Sequence, residues 1–408
     1  MLWNGKRVWA AAVVLLAATA GCASDKWLQW GGSGRDFSSA GTINWSGDGP
    51  REIWRRDLGE GYSGILAEGD RLFTMMRRGE NEVVVALDAG TGKTIWEYTY
   101  PAPLPKDADQ SFGKGPNSTP LIDGDRLVTV GYNGLVHCLH KKDGRVIWTV
   151  DLFKKFKGSP LEFGYSASPL SYGGNVILPV GGDGQAVVAL KMADGSVAWK
   201  GQSFTNTYST PLLIDVGGQT QLVMVMSAEV VGMDPSNGSL LWSFPMKNRW
   251  DMHVFVPVWG ADNLLFVSSF EQCHVLRLTR TGEKTTVETV VSPSKVGISH
   301  TNAVRIGDTI YGSSGSQRAS FVTAVNIKTG EVLWKERGFG VANYLRVGDR
   351  LLLLDGNGQV ALAAPTEKAL NVLGKMDVLA KRAWTAPTLI GKRLYLRDQK
   401  HILAMQLQ

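Results

Sequence analysis

The chain has 408 residues, of which 44% are hydrophobic and 20% charged, the balance of a water-soluble globular protein. Its 43 basic and 37 acidic residues leave a net charge of +6, falling to about +4 once a basic pair near the N-terminus is removed. The charge is spread thinly, with no long Lys/Arg run and no aromatic–basic pattern of an RNA binder, which excludes nucleic acid as the expected partner.

In chain order, the first element is a targeting segment. Lys6 and Arg7 precede an apolar stretch from Val8 to Ala20. That stretch is shorter than the ~20 apolar residues needed to span a bilayer and fits the core of a secretory signal peptide. It ends Thr19-Ala20-Gly21-Cys22, which resembles a bacterial lipobox with Thr19 where Leu is usual. The resemblance implies removal of residues 1–21 and acylation of Cys22; an ordinary signal peptide cut near Ala23 is the alternative. Two or more acyl chains anchor firmly where one does not. Ala23, rather than Asp, after the Cys implies the periplasmic side of the outer membrane in an organism that has one. Residues 22–44 read as anchor, tether and lead-in, and residues 45–408 as the folded body. Cys138 and Cys273 lie far apart, each in an apolar run, so both are expected to be buried small hydrophobes without a disulfide framework.

The body is repetitive. Ala86…Gly92…Trp96, Cys138…Gly144…Trp148, Ala189…Gly195…Trp199, Gly232…Gly238…Trp242 and Ala324…Gly330…Trp334 share one spacing: a small residue, Gly six later, Trp ten later. Apolar residues flank a Thr-Gly, Asp-Gly or Asn-Gly turn, so each unit is a hairpin whose Gly supplies positive φ. The Trp closes the second strand and is expected to lie over the small residue of a neighbouring unit. A second turn precedes each hairpin, at Gly69-Asp70, Gly124-Asp125, Gly307-Asp308 and Gly348-Asp349. Two hairpins give four antiparallel strands, one blade of a propeller.

Degraded units run from Arg277 to Val287 and from Leu362 to Val372. The C-terminus supplies three strands without a terminal Trp, and Glu52–Leu58, with Trp54, supplies the missing one. Pairing the two ends closes the ring and removes its opening edges. The expected fold is therefore an all-β, eight-bladed propeller, monomeric, with seven blades as the alternative count. Trp54, Trp96, Trp148, Trp199, Trp242 and Trp334 are its docking residues.

This spacing resembles the pyrroloquinoline-quinone (PQQ) repeat family over about residues 28–408. The family contains quinoprotein dehydrogenases and also non-catalytic lipoproteins that act in outer-membrane assembly, so the motif speaks to fold more than to function. The dehydrogenase branch implies a quinone on the axis, a bound Ca²⁺, a carboxylate base and adjacent cysteines. This chain has no adjacent Cys pair and no haem-attachment motif. No cofactor is expected, with PQQ and Ca²⁺ as the alternative.

Aligning the repeats places Tyr62, Asn117, Tyr165, Ser166, Tyr208, His253, His300 and Trp384 around one mouth of the central channel. Aromatic rings converging there would stack a flat ligand or grip a peptide. Trp96–Trp148 and Trp148–Trp199 are 52 and 51 residues apart, against 42 for Trp54–Trp96, so extra chain at 98–116 and 150–165 falls on the same face. The expected function is a non-catalytic binding scaffold of the cell envelope, engaging other envelope proteins and assisting outer-membrane protein assembly. The alternatives are a PQQ-dependent dehydrogenase of alcohols or sugars and a propeller that binds a carbohydrate or other small molecule.

Overall fold

In the computed structural model, residues 26–45, 47–106, 108–316 and 319–408 are described; the expected signal peptide and Cys22 lie outside them. Among the described residues the strands form eight antiparallel blades in a ring. Blade 1 spans Leu66–Glu68 to Thr94–Pro101, and blade 2 Leu121–Asp123 to Val146–Asp151. Blades 3 and 4 run from Leu170–Tyr172 to Val197–Gly201 and from Leu212–Val216 to Leu240–Pro245. Blades 5, 6 and 7 end with Lys284–Val291, Val332–Glu336 and Val372–Asp377. Blade 8 combines Thr388–Ile390, Arg393–Arg397 and His401–Gln406 with Arg51–Asp57. The two chain ends therefore share one sheet, with Trp54 opposite Ala404.

The strands form where the alternation and turns placed them. The Gly-Asp turns adopt positive φ at Gly69, Gly124, Gly307 and Gly348, as tight hairpins require. Middle strands are apolar on both faces because each blade is covered by two neighbours; Val83–Leu87 are all 0% exposed. Cys138 and Cys273 are buried free thiols, and burial pushes both thiol pKa values up to about 12.

The docking tryptophans obey one geometry, with a change from expectation. Each small residue faces the Trp of its own blade, as in Cys138↔Trp148 and Ala189↔Trp199. The ring then lies over the turn Gly of the next blade. A Cβ on Gly92, Gly144, Gly195 or Gly238 would sit 2.5–2.8 Å from Trp54, Trp96, Trp148 or Trp199, respectively. These glycines have positive φ as well, so one residue type satisfies both the turn and the close approach. The indole N–H of Trp148 donates to Met192 O at 3.0 Å, and that of Trp334 to Thr366 O at 2.9 Å. Trp242 differs: it folds back over Gly232 of its own blade and donates to Gln221 Oε1 at 2.7 Å. Blade 5 closes its outer hairpin at Thr281–Lys284, and its turn Gly282 has no atom within 4 Å of a built Cβ, so Trp242 does not reach it.

The two degraded blades shift register from the sequence reading. In blade 5 the docking position is Val291 rather than Val287, opposite Val275, and it lies over Gly330 of blade 6. In blade 7 it is Gly374, opposite Leu362, rather than Val372. The missing ring there is supplied from elsewhere: Trp45 covers Gly374, and Gly49 closes on its other side.

The lead-in is part of the folded body from Lys26 onward. Lys26–Trp27 pairs antiparallel with the inner strand of blade 1, and Ser38–Ser39 pairs parallel with that of blade 7. Leu28 O accepts from Ile122 N of blade 2 at 2.8 Å. Residues 26–45 thus make a U-shaped plug, entering the channel from the Gly-Asp turn face. At its tip Arg35, 5% exposed, donates to Pro211 O at 2.7 Å and to Pro169 O. It meets carbonyls rather than a carboxylate, and burial lowers its pKa to about 9.

Candidate functional site

The plug seals one end of the axial channel and leaves a cavity of about 300 Å³ open at the other. Trp27, Trp30 and Phe37 form its floor, with Trp30 and Phe37 packed edge to face at 4.5 Å. The inner strands of all blades start at this mouth, so the residues just before each strand face the axis.

Six of the eight expected mouth residues line the cavity: Tyr62, Asn117, Ser166, Tyr208, His300 and Trp384. Tyr165 and His253 do not. Successive residues in extended chain point to opposite sides, so Ser166 and Val254 take the cavity and their neighbours turn into the wall. Tyr165, 1% exposed, donates to Pro179 O at 3.0 Å. His253, also 1% exposed, sets Nε2 2.8 Å from Met246 O while its backbone N–H donates to Thr207 Oγ1 at 2.7 Å. Burial depresses the His253 pKa.

Half of the mouth is an aromatic wall. Tyr62 and Trp384 stack at 5.3 Å, Phe112 meets Trp384 at 6.1 Å and Phe163 at 5.1 Å, and Phe163 meets Tyr208 at 5.9 Å. Phe112 and Phe163 come from the two long inter-blade connections, which do lie on this face. In the second connection a one-turn helix, Leu152–Phe156, capped by Asp151, buries Leu152 and Phe156, so those residues anchor the loop instead of meeting a partner. Phe112 was not legible as a site residue; its only signal was the length of its loop.

Buried charge holds this wall in place. Arg77, 4% exposed, donates to Lys114 O at 2.8 Å and Ala102 O at 2.7 Å, clamping both ends of the Phe112 loop. Its charge is met by Glu82, 0% exposed, at 3.2 Å. Glu82 also accepts from Tyr100 at 2.7 Å and from Tyr132 N at 3.0 Å, and burial raises its pKa. Across the mouth, Asn343 donates to Trp384 O at 2.8 Å and Thr385 donates to Tyr62 O at 3.0 Å.

Among the described residues the cavity wall contains no Asp, Glu, Lys or Arg; Arg382 stands at the rim, 5.8 Å over the Trp384 ring. Among the described residues no group of three His, Cys, Asp or Glu side chains converges to hold a metal ion. PQQ carries several carboxylates and works beside a cation, so it needs countercharges for the acids and oxygen ligands for the metal. The residues here do not fit that group.

Comparison with known proteins agrees with the architecture. The family model described as outer membrane protein assembly factor BamB matches residues 40–107 and 80–336. The chain is 23% identical over 328 residues to the BamB of Yersinia pestis, covering 74% of this chain and 80% of that one. It is 24% identical over 302 residues to that of Escherichia coli (strain K12), covering 70% and 73%. Among solved structures, BamB from Moraxella catarrhalis superposes with a TM-score of 0.63 at 19% identity, covering 88% of this chain and 99% of that one. Quinohemoprotein alcohol dehydrogenase from Comamonas testosteroni superposes with 0.66 at 12% identity, covering 94% and 80%. At these identities the structural likenesses establish the fold alone, and they span both the assembly and the dehydrogenase branches.

Proposed function

Since this chain belongs to the PQQ-repeat propeller family whose model is described as outer membrane protein assembly factor BamB, we propose that it is a non-catalytic scaffold of the cell envelope that assists outer-membrane protein assembly. The observation that carries this reading is the mouth. It presents partly exposed aromatic rings on a rigid ring of blades, with Arg382 at the rim and, among the described residues, no acid in the wall and no cluster to hold the cation that quinone chemistry uses. Catalysis of hydride or electron transfer needs a cofactor gripped at the axis; protein binding needs only a rigid, adhesive face.

The anchor belongs to the same proposal. Lys26 pairs with Glu68, beside the Gly69 turn and away from the mouth. Four residue steps separate it from Cys22, a reach of at most about 14 Å. A lipid on Cys22 therefore holds the plug face near the membrane and turns the mouth toward the periplasm. Cys22→Ala is expected to release the exported protein into the soluble fraction; persistence in the membrane fraction contradicts lipid anchoring.

The test of the scaffold role is photo-crosslinking in cells, with the crosslinker placed at Phe112 or Phe163. Crosslinks to envelope proteins are expected, together with lower levels of folded outer-membrane barrels when the gene is deleted. Unchanged barrel levels and no crosslinked partner would overturn the reading.

A further inference from the structure

The mouth cavity pairs an aromatic wall with uncharged polar groups that the protein leaves unmatched. Asn343 and Asn117 use their amide N–H groups on Trp384 O and Phe163 O, at 2.8 and 2.9 Å, which leaves an amide oxygen on each. Tyr208 receives a long 3.4 Å contact from Phe163 N, so its own O–H remains to donate. His300 lines the cavity, sets Nδ1 3.0 Å from Ser299 Oγ and packs edge-on against Phe270 at 4.6 Å. The set mixes donors with acceptors, carries no formal charge and stands beside the stacked Tyr62 and Trp384.

From this we infer that the cavity is a binding site for one terminal ring of a neutral carbohydrate. A sugar ring has an apolar C–H face for the aromatic wall, and each hydroxyl both donates and accepts. It answers the amide oxygens of Asn343 and Asn117 and the Tyr208 O–H together. A hydrocarbon side chain would bury the same groups unpaired, at a cost comparable to what its own burial returns. A carboxylated ligand would meet Arg382 at the rim, beside Trp384 and Tyr62, but would lose its hydration against a wall whose described residues carry no charge. The sealed floor sets the mode: about 300 Å³ closed by Trp27, Trp30 and Phe37 admits the end of a glycan and stops a chain from threading through. The cavity opens in the same mouth that carries the scaffold reading, but sugar binding does not depend on that reading, which crosslinking and gene deletion test separately.

The experiment is calorimetric titration of the detergent-extracted full chain with maltotriose, cellotriose and chitotriose, followed in parallel by tryptophan fluorescence. At least one is expected to bind saturably, while tri-galacturonic acid and PQQ bind at least tenfold more weakly. Tyr208→Phe keeps the ring, removes only the O–H, and is expected to weaken binding about fivefold to tenfold at an unchanged melting midpoint. Trp384→Ala is expected to weaken it further; if that variant does not fold, Tyr208→Phe decides. Failure of all three neutral sugars to bind overturns the assignment, as does equal affinity in the variants. Saturable binding of a Trp-bearing hexapeptide in their place reassigns the cavity to polypeptide.

Discussion

Trp148 shows what a single docking residue contributes. Its ring is 8% exposed, lies over Gly195 of the next blade and donates to Met192 O. Trp148→Ala removes the apolar contact and leaves that carbonyl unmet, so it is expected to destabilise by ~3–5 kcal/mol. Urea denaturation measures this, and an unchanged midpoint would refute the docking role. His137 supplies a pH dependence. It is 2% exposed, lies 4.2 Å from the Tyr100 ring, and its Nδ1 has no partner. Burial lowers its pKa to about 4, against ~6.5 for a free imidazole. Between those values the unfolded chain takes up a proton that the folded chain refuses. Stability from this group is complete above about pH 6.5 and falls by roughly 3 kcal/mol as pH drops to about 4. His253 is depressed by the same cause and adds a loss of the same sign. His137→Phe should flatten the acid limb of the melting-temperature profile; a profile parallel to the wild type would count against this assignment.

The blade hairpins are local structures, yet two of them are completed by the lead-in. Trp45 covers Gly374 in blade 7, where the repeat lacks its own Trp, and Gly49 leads the chain from there into the outer strand of blade 8. Trp45→Ala is expected to cost about 2–3 kcal/mol, below the value for Trp148 because Trp45 is only half-buried. A loss as small as that of an exposed surface substitution, measured by chemical denaturation, would show that blade 7 closes without it. The plug rests on Arg35 in the same way. Its guanidinium satisfies two carbonyls, from blades 3 and 4, and Arg35→Met leaves both without a donor. A destabilisation of about 2 kcal/mol is expected, with increased quenching of tryptophan fluorescence by acrylamide as the floor residues Trp27 and Trp30 open to solvent. Unaltered quenching would mean the plug is held by its strand pairs alone.

At the scale of the whole molecule, stability depends on closing the ring. His401–Gln406 lies between Arg393–Arg397 and Arg51–Asp57, so it joins the two chain ends. A chain ending at Lys400 leaves Arg51–Asp57 without a partner and exposes edges on both sides of the gap. Loss of the near-ultraviolet circular dichroism of the native protein is expected; a native spectrum with an unchanged melting midpoint would disprove closure through this strand. Closure also matters to the site, since the cavity draws residues from blades on both sides of the seam, with Tyr62 stacked on Trp384 across it.

The sequence by itself determined the elements. Glycines in tight turns, alternation along the strands and the recurrent Trp are local properties with local physical causes, and they were enough to count eight blades and to find the shared blade at the seam. They also located most of the mouth, because Tyr62, Asn117, Ser166, Tyr208 and Trp384 precede their strands at equivalent positions, while His300 lies in the irregular start of the strand Ile298–Ile306. The tertiary structure alone decided what depends on contacts far apart in the chain. Trp45 substituting for a missing docking ring, Arg35 capping carbonyls more than a hundred residues away, and Phe112 completing the aromatic wall have no periodic signature. Tyr165 and His253 failed as cavity residues for a related reason: alignment fixes a position to within one residue, and in extended chain one residue is the difference between the cavity and the wall.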